Sequence, residues 1–123
     1  MRTLLLTVLM AAATVVAPAS DDPSLSGSWQ LKRIAADRES TMECSFNQKG
    51  SELTGSCKSD RGTLALSGKV EGKNVTWTHK SESEAGPVTV VYTGTIDSAT
   101  RMTGKVLAVE FSVEGEFTAT RAK

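Results

Sequence analysis

Few residues in this chain carry reactive side chains: two cysteines, Cys44 and Cys57, and a single histidine, His79. A thiol beside an imidazole is a nucleophile with its base, and two thiols together are a redox couple or half of a metal site. A redox couple calls for closer spacing and a setting that lowers a thiol pKa. A structural zinc calls for four ligands, which one histidine and two cysteines do not supply. The remaining reading is a covalent pin between strands, and the stretch MECSFNQKGSELTGSC supports it. With 42–48 and 52–57 as a hairpin turning at Gly50-Ser51, Cys44 falls opposite Cys57, Phe46 opposite Gly55 and Gln48 opposite Leu53. Alternation then places Cys44, Phe46, Leu53 and Cys57 on one face. Directly opposed residues hold their Cβ atoms about 4.5–5.5 Å apart, close to what a disulfide needs. Once both thiols are consumed, His79 has no nucleophile to serve. The carboxylates show no spacing that points to glycosidase or metal chemistry. The chain is therefore expected to be no enzyme, with no catalytic residues, no metal and no cofactor.

The ends of the chain fix its setting. MRTLLLTVLMAAATVVAPAS has a basic Arg2, an apolar run from Leu4 to Val16 and the small-residue site Ala17-Pro18-Ala19. This is the pattern of a cleavable export signal over 1–19, leaving 20–123 as one domain. The apolar run is shorter than the roughly 20 residues of a membrane span. The expected location is secreted or periplasmic, an oxidising compartment in which two cysteines form one disulfide. The sequence has 14 basic and 14 acidic residues, and losing Arg2 leaves a net charge of −1. The chain has neither the basic stripe of a nucleic-acid binder nor a polybasic membrane patch. Asn74-Val75-Thr76 matches a glycosylation sequon, which bacterial-type export would leave bare.

The elements that must position these residues are strands. Beyond Ser20, short alternating segments are separated by Gly, Asp, Asn and Ser, with no helical periodicity. The phrases LTGS, LSGK, YTGT and MTGK recur, each placing a glycine inside a strand, where it marks a bend, a bulge or a close neighbour. The hairpin arithmetic repeats. A turn at Gly72-Lys73 pairs Val70 with Val75, Gly68 with Trp77 and Leu66 with His79. A loop over 98–100 pairs Ile96 with Met102 and Gly94 with Gly104. Phe46 and Trp77 thus lie over glycines, a way of covering bare strand positions. The pattern predicts eight strands, over 28–34, 41–48, 52–58, 63–71, 74–80, 88–96, 101–107 and 111–121. The fold class is all-β: an eight-stranded antiparallel meander closed into a barrel, with a two-sheet sandwich as the alternative. The segment VLAVEFSV must turn, yet it has no Gly, Pro, Asn or Asp. Either strand seven lies elsewhere or an apolar turn stands exposed at a rim.

Gly27-Ser28-Trp29 on the first strand and Arg121 on the last resemble the structural signature of the calycin superfamily, which includes lipocalins, fatty-acid-binding proteins and avidins. The resemblance implies that Trp29 lies at the closed end of the barrel with Arg121 packed across it. SLSGSW, SELTGSC, NVTWTHKSES and VVYTGTID are similar, in order, to segments of the avidin barrel. Biotin binding does not carry over. Gln30, Leu31, Lys32 and Arg33 follow Trp29 where avidins have an Asn and Ser set, and Cys57 stands where avidins carry a tyrosine. LSGSWQL followed by the two cysteines also resembles the small periplasmic inhibitors of bacterial metalloproteases.

Connections alternate between the two ends of a meander. Tight turns near 49–52, 71–74 and 97–100 fall at one end, and longer connections over 35–40, 58–62, 81–87 and 108–110 at the other, which calycins use as the mouth. Met42, Leu64 and Val88 would form its apolar wall, and Trp77 would stack on a ligand. Arg33, His79 and Tyr92 would supply the polar contacts that orient it. Against this stands the simpler possibility that Trp77 and Tyr92 complete a filled core while Arg33 and His79 face water. Two functions follow: a barrel that binds a small, mainly apolar molecule at the longer-loop end, or a protein-binding barrel, such as a hydrolase inhibitor, using residues 20–26 and the rim at 106–111.

Overall fold

The computed structural model describes residues 24–59, 62–84 and 86–122. The export segment expected over 1–19 lies outside them. Eight strands follow one another along the chain: β1 (Gly27–Ala35), β2 (Arg38–Lys49), β3 (Glu52–Ser59), β4 (Gly62–Glu71), β5 (Asn74–Ser83), β6 (Gly86–Ser98), β7 (Arg101–Ala108) and β8 (Val113–Arg121). Each is antiparallel to the next, and β8 pairs with β1 from Trp29↔Arg121 to Ala35↔Gly115, which closes the sheet. That last ladder excludes the sandwich, because a sandwich leaves the first and last strands unpaired with one another.

The registers are those of the hairpin arithmetic. Cys44 faces Cys57, Gly68 faces Trp77, and Gly94 faces Gly104. The disulfide joins Cys44 to Cys57 across a Cα–Cα distance of 4.0 Å. Strand alternation sends Leu31, Met42, Cys44, Leu53, Leu66, Val75 and Ile96 inward, and the charges and hydroxyls between them to solvent. Gly68 is required where β4 meets β5: a Cβ there would run into the Thr76 carbonyl and lie 2.6 Å from the Trp77 Cα. The pair Gly94 and Gly104 leaves room for a ring of β8, since a Cβ on either would come within 2.7–2.8 Å of Phe117.

One end is sealed. Leu25, fully buried, lies across it, with its N–H donating to Gln48 Oε1 at 2.9 Å and its carbonyl accepting from Trp29 Nε1 at 2.9 Å. The Arg121 guanidinium sits 4.6 Å from the Trp29 ring centre and donates to the carbonyls of Ser24, Ser26 and Ala99. Cation–π attraction of this kind contributes about 0.5–2 kcal/mol.

The other end departs from the sequence reading, because its connections are not long. Ala36 and Asp37 both take left-handed backbone angles, so the chain reverses in two residues and β2 begins at Arg38 rather than 41. Paired left-handed residues match the twist of a hairpin, and Asp tolerates that region better than most residues. β3 gives way to β4 between Ser59 and Gly62, and β6 starts at Gly86 rather than 88. Within 106–113 the turn is a 3-10 helix over Val109–Phe111 followed by left-handed Ser112, so β8 begins at Val113 instead of 111. Glu110 holds this turn, accepting from the Thr89 N–H at 2.6 Å and the Thr89 hydroxyl at 2.8 Å. A side chain gripping the neighbouring β6 does what a turn-forming residue would otherwise do. The apolar turn therefore stands at the rim, with Val109 and Phe111 exposed.

Candidate functional site

At the end away from Trp29, three polar side chains from three strands meet inside the wall. Arg33 on β1 donates from Nη1 to Tyr92 Oη on β6 at 3.0 Å, and His79 Nε2 on β5 lies 3.0 Å from the same oxygen. Arg33 is steadied by its Nε, which donates to Ser40 Oγ on β2 at 3.3 Å. Strand alternation brings the three together: Arg33 lies two positions past the core residue Leu31, and His79 two past Trp77. Tyr92 pairs directly with Trp77 across the β5–β6 ladder.

Behind this network the barrel is filled with rings. Trp77 stacks on Tyr92 at 4.8 Å and nearly parallel, and meets Phe46 and Phe117 edge-on at 5.1 and 5.3 Å. The sequence reading offered Trp77 as a platform for a ligand. The structure instead has it completely buried with Tyr92 against its face, because Gly68 lets its backbone come close to β4 and the ring fills the space inside. Met42 and Val88 are buried, and Leu64 and Arg33 are half-buried toward the opening. Phe117 completes the cluster, touching both Trp77 and Tyr92. It was missed although its signal was present: it faces Gly104, the same aromatic-over-glycine pairing seen in the other hairpins. Without the position of the β7–β8 turn, that register was not legible.

Two buried nitrogens in this cluster, Trp77 Nε1 and His79 Nδ1, have no hydrogen-bond partner among the described residues. An unpaired buried polar group costs about 1–3 kcal/mol, so native interiors rarely keep one. Burial, aided by the neighbouring Arg33 charge, lowers the His79 pKa to about 4, and burial raises that of Tyr92. At neutral pH both are uncharged. The cross-strand partners of His79 are apolar, Leu66 on β4 and Val90 on β6.

A pH dependence follows. The folded pKa of His79 lies below its ordinary value of 6.5, so between pH 6.5 and about 4 the unfolded chain binds the extra proton. The stability His79 contributes is complete above pH 6.5 and declines as pH falls through that window. The decline is expected to be about 3 kcal/mol, and urea denaturation across the window measures it. His79→Gln should flatten the profile. An unchanged slope in that variant would assign the acid sensitivity to other groups.

A groove of about 680 Å³ also exists, on the outer wall rather than in the barrel, where outward Ser28, Gln30, Glu43, Ser45 and Ser56 border it. Neither Trp77 Nε1 nor His79 Nδ1 lines it.

The fold and this interior network define the chain as a closed, eight-stranded meander barrel with a polar cluster inside one end. Solved structures similar to it in fold include designed proteins. The redesigned β-barrel b11L5F_LGL is 18% identical with a TM-score of 0.66, over 80% of this chain and 92% of that one. The redesigned barrel mFAP0, bound to DFHBI, is 20% identical with a TM-score of 0.54, over 79% of this chain and 98% of that one. EF1p2_mFAP2b bound to DFHBI is 15% identical with a TM-score of 0.56, over 80% and 94% respectively. These likenesses concern the fold. No protein-family profile matches the sequence, and no curated protein does either.

Proposed function

We propose that this chain is an exported, calycin-like binding barrel, without catalytic function, that takes a small and mainly apolar molecule into the end bearing Arg33, His79 and Tyr92. The carrying observation is the pair of buried nitrogens without a partner among the described residues, Trp77 Nε1 and His79 Nδ1, within an otherwise apolar interior. Half-buried Leu64 and Arg33 mark the side of entry. Designed barrels of the same fold bound to DFHBI support a small-molecule ligand for a barrel of this build. The test is native mass spectrometry of the protein taken from its own cell envelope. It should arrive with cleavage after Ala19, two hydrogens lost to the disulfide, and an additional small mass. Val88→Trp, which fills the entry beside His79, should lose that mass while still unfolding cooperatively. A wild-type barrel that flies bare would overturn the reading.

The second reading, a protein-binding barrel, is favoured by the rim. Ile34, Leu107, Val109, Phe111 and Val113 are all exposed near the β7–β8 turn, and Glu110 fixes that turn to β6. The N-terminal residues expected to act with this rim are not adjacent to it. Residues 24–26 seal the opposite end, so one partner cannot grip both through a single small contact. Phe111→Ser should abolish capture of a protein partner and leave the fold intact. Retained capture would exclude the rim.

A further inference from the structure

The hydrogen-bond directions around Tyr92 make this end of the barrel a surface of donors. Tyr92 Oη accepts from Arg33 Nη1, and among the described residues its own proton has one acceptor within reach, His79 Nε2. The opposite arrangement, with His79 donating from Nε2, would leave the phenol proton without an acceptor in the interior. His79 therefore carries its proton on Nδ1, and that N–H has no partner. Trp77 Nε1–H is a donor by constitution and is also unpaired. Both rings pack on Tyr92, at centroid distances of 5.3 Å for His79 and 4.8 Å for Trp77. Arg33 adds a positive charge. The ion pairs among the described residues are Lys32–Glu39 and Arg101–Asp97, and neither compensates it.

We infer that the molecule this barrel takes presents an anionic oxygen, that of a phenolate, enolate or carboxylate, to Arg33 and the Nδ1–H of His79. The inference rests on the small-molecule reading above and names the polar part of that guest. A neutral apolar guest would leave the buried N–H groups unsatisfied and Arg33 uncompensated. A cationic guest meets Arg33 head-on. A hydroxyl brings a donor of its own into a cluster that already has too many. An anionic oxygen brings lone pairs only, and charge-assisted bonds to it are stronger than bonds between neutral groups. Its negative charge lies against the half-buried guanidinium, where screening by water is reduced.

The probe is 4-nitrophenol, whose phenol and phenolate absorb at different wavelengths and which titrates near neutrality. Its comparator is 4-nitroanisole, which has nearly the same shape and no acidic proton. Titrated with the full mature protein, bound nitrophenol should show an apparent pKa lowered by about one unit, the phenolate binding about tenfold more tightly than the phenol. Arg33→Met should abolish the shift, and Arg33→Lys, which keeps the charge, should retain part of it. Of the two indole N–H resonances in the proton spectrum, that of Trp77 should move on binding, while that of Trp29, already bonded to Leu25, should stay. Binding of nitrophenol with an unchanged or raised pKa would overturn the inference and leave the pocket standing. Binding of nitroanisole without binding of nitrophenolate would overturn it equally. If neither binds, the pocket itself falls and the inference with it.

Discussion

Trp77→Ala is expected to cost about 3–5 kcal/mol of folding stability, a large part of what a domain of this size holds. The indole is fully buried and touches Phe46, Tyr92 and Phe117, each from a different strand, so its removal empties the place where β2, β5, β6 and β8 meet inside the barrel. Collapse cannot fill that space, because the closed hydrogen-bonded wall fixes the distance between opposite strands. Trp77→Phe separates packing from polarity. It keeps a ring against Tyr92 and removes the unpaired N–H, and the smaller ring and the lost desolvation penalty act in opposite directions. That variant should cost much less, about 1 kcal/mol. Urea midpoints for both variants provide the check. A cost below about 1 kcal/mol for the alanine variant would show that the ring cluster is not the core of this fold.

Removing the disulfide should produce the second large effect. Cys44 and Cys57 enclose a short loop, and the chain-entropy account assigns about 3 kcal/mol to closing one of this length. The double variant Cys44→Ala, Cys57→Ala should lower the urea midpoint accordingly while leaving the fold intact. The β2–β3 ladder from Glu43↔Lys58 to Lys49↔Glu52 holds the same register without it. The paired substitution is the proper comparison, since a single cysteine left behind would add a buried free thiol. If the double variant proved as stable as the parent, the bond would have no role in stability, and its inward position beside Trp29 would be a matter of packing alone.

How far the sequence reached differs between the wall and its interior. The wall was legible because strand register is arithmetic. Once a turn is fixed by Gly50 or Gly72, every pairing outward from it follows, and a slip of one residue would turn Phe46 or Trp77 to solvent. Closure was legible at the level of pattern, since eight strands with no protected edge favour a barrel over an open sheet. Two of the rim turns were not legible, because neither the one after β1 nor the one after β7 carries a glycine. Ala36 and Asp37 turn the chain in two left-handed residues, and the 3-10 turn after β7 depends on Glu110 reaching Thr89 twenty-one positions away in the sequence. Phe117 was lost with that turn.

Which side chains face inward can be read from the chain alone, since alternation along a strand is a property of each residue and its neighbours. On that basis Arg33, His79 and Tyr92 were recognisable as inward polar residues, and Cys44 as the partner of Cys57. What each inward residue touches had to come from the folded barrel, because contacts across it depend on closure, and closure joins β1 to β6 through neither sequence proximity nor a shared ladder. Thus Trp77 became a buried member of a ring cluster, Tyr92 the meeting point of Arg33 and His79, and two buried nitrogens were left without a partner among the described residues.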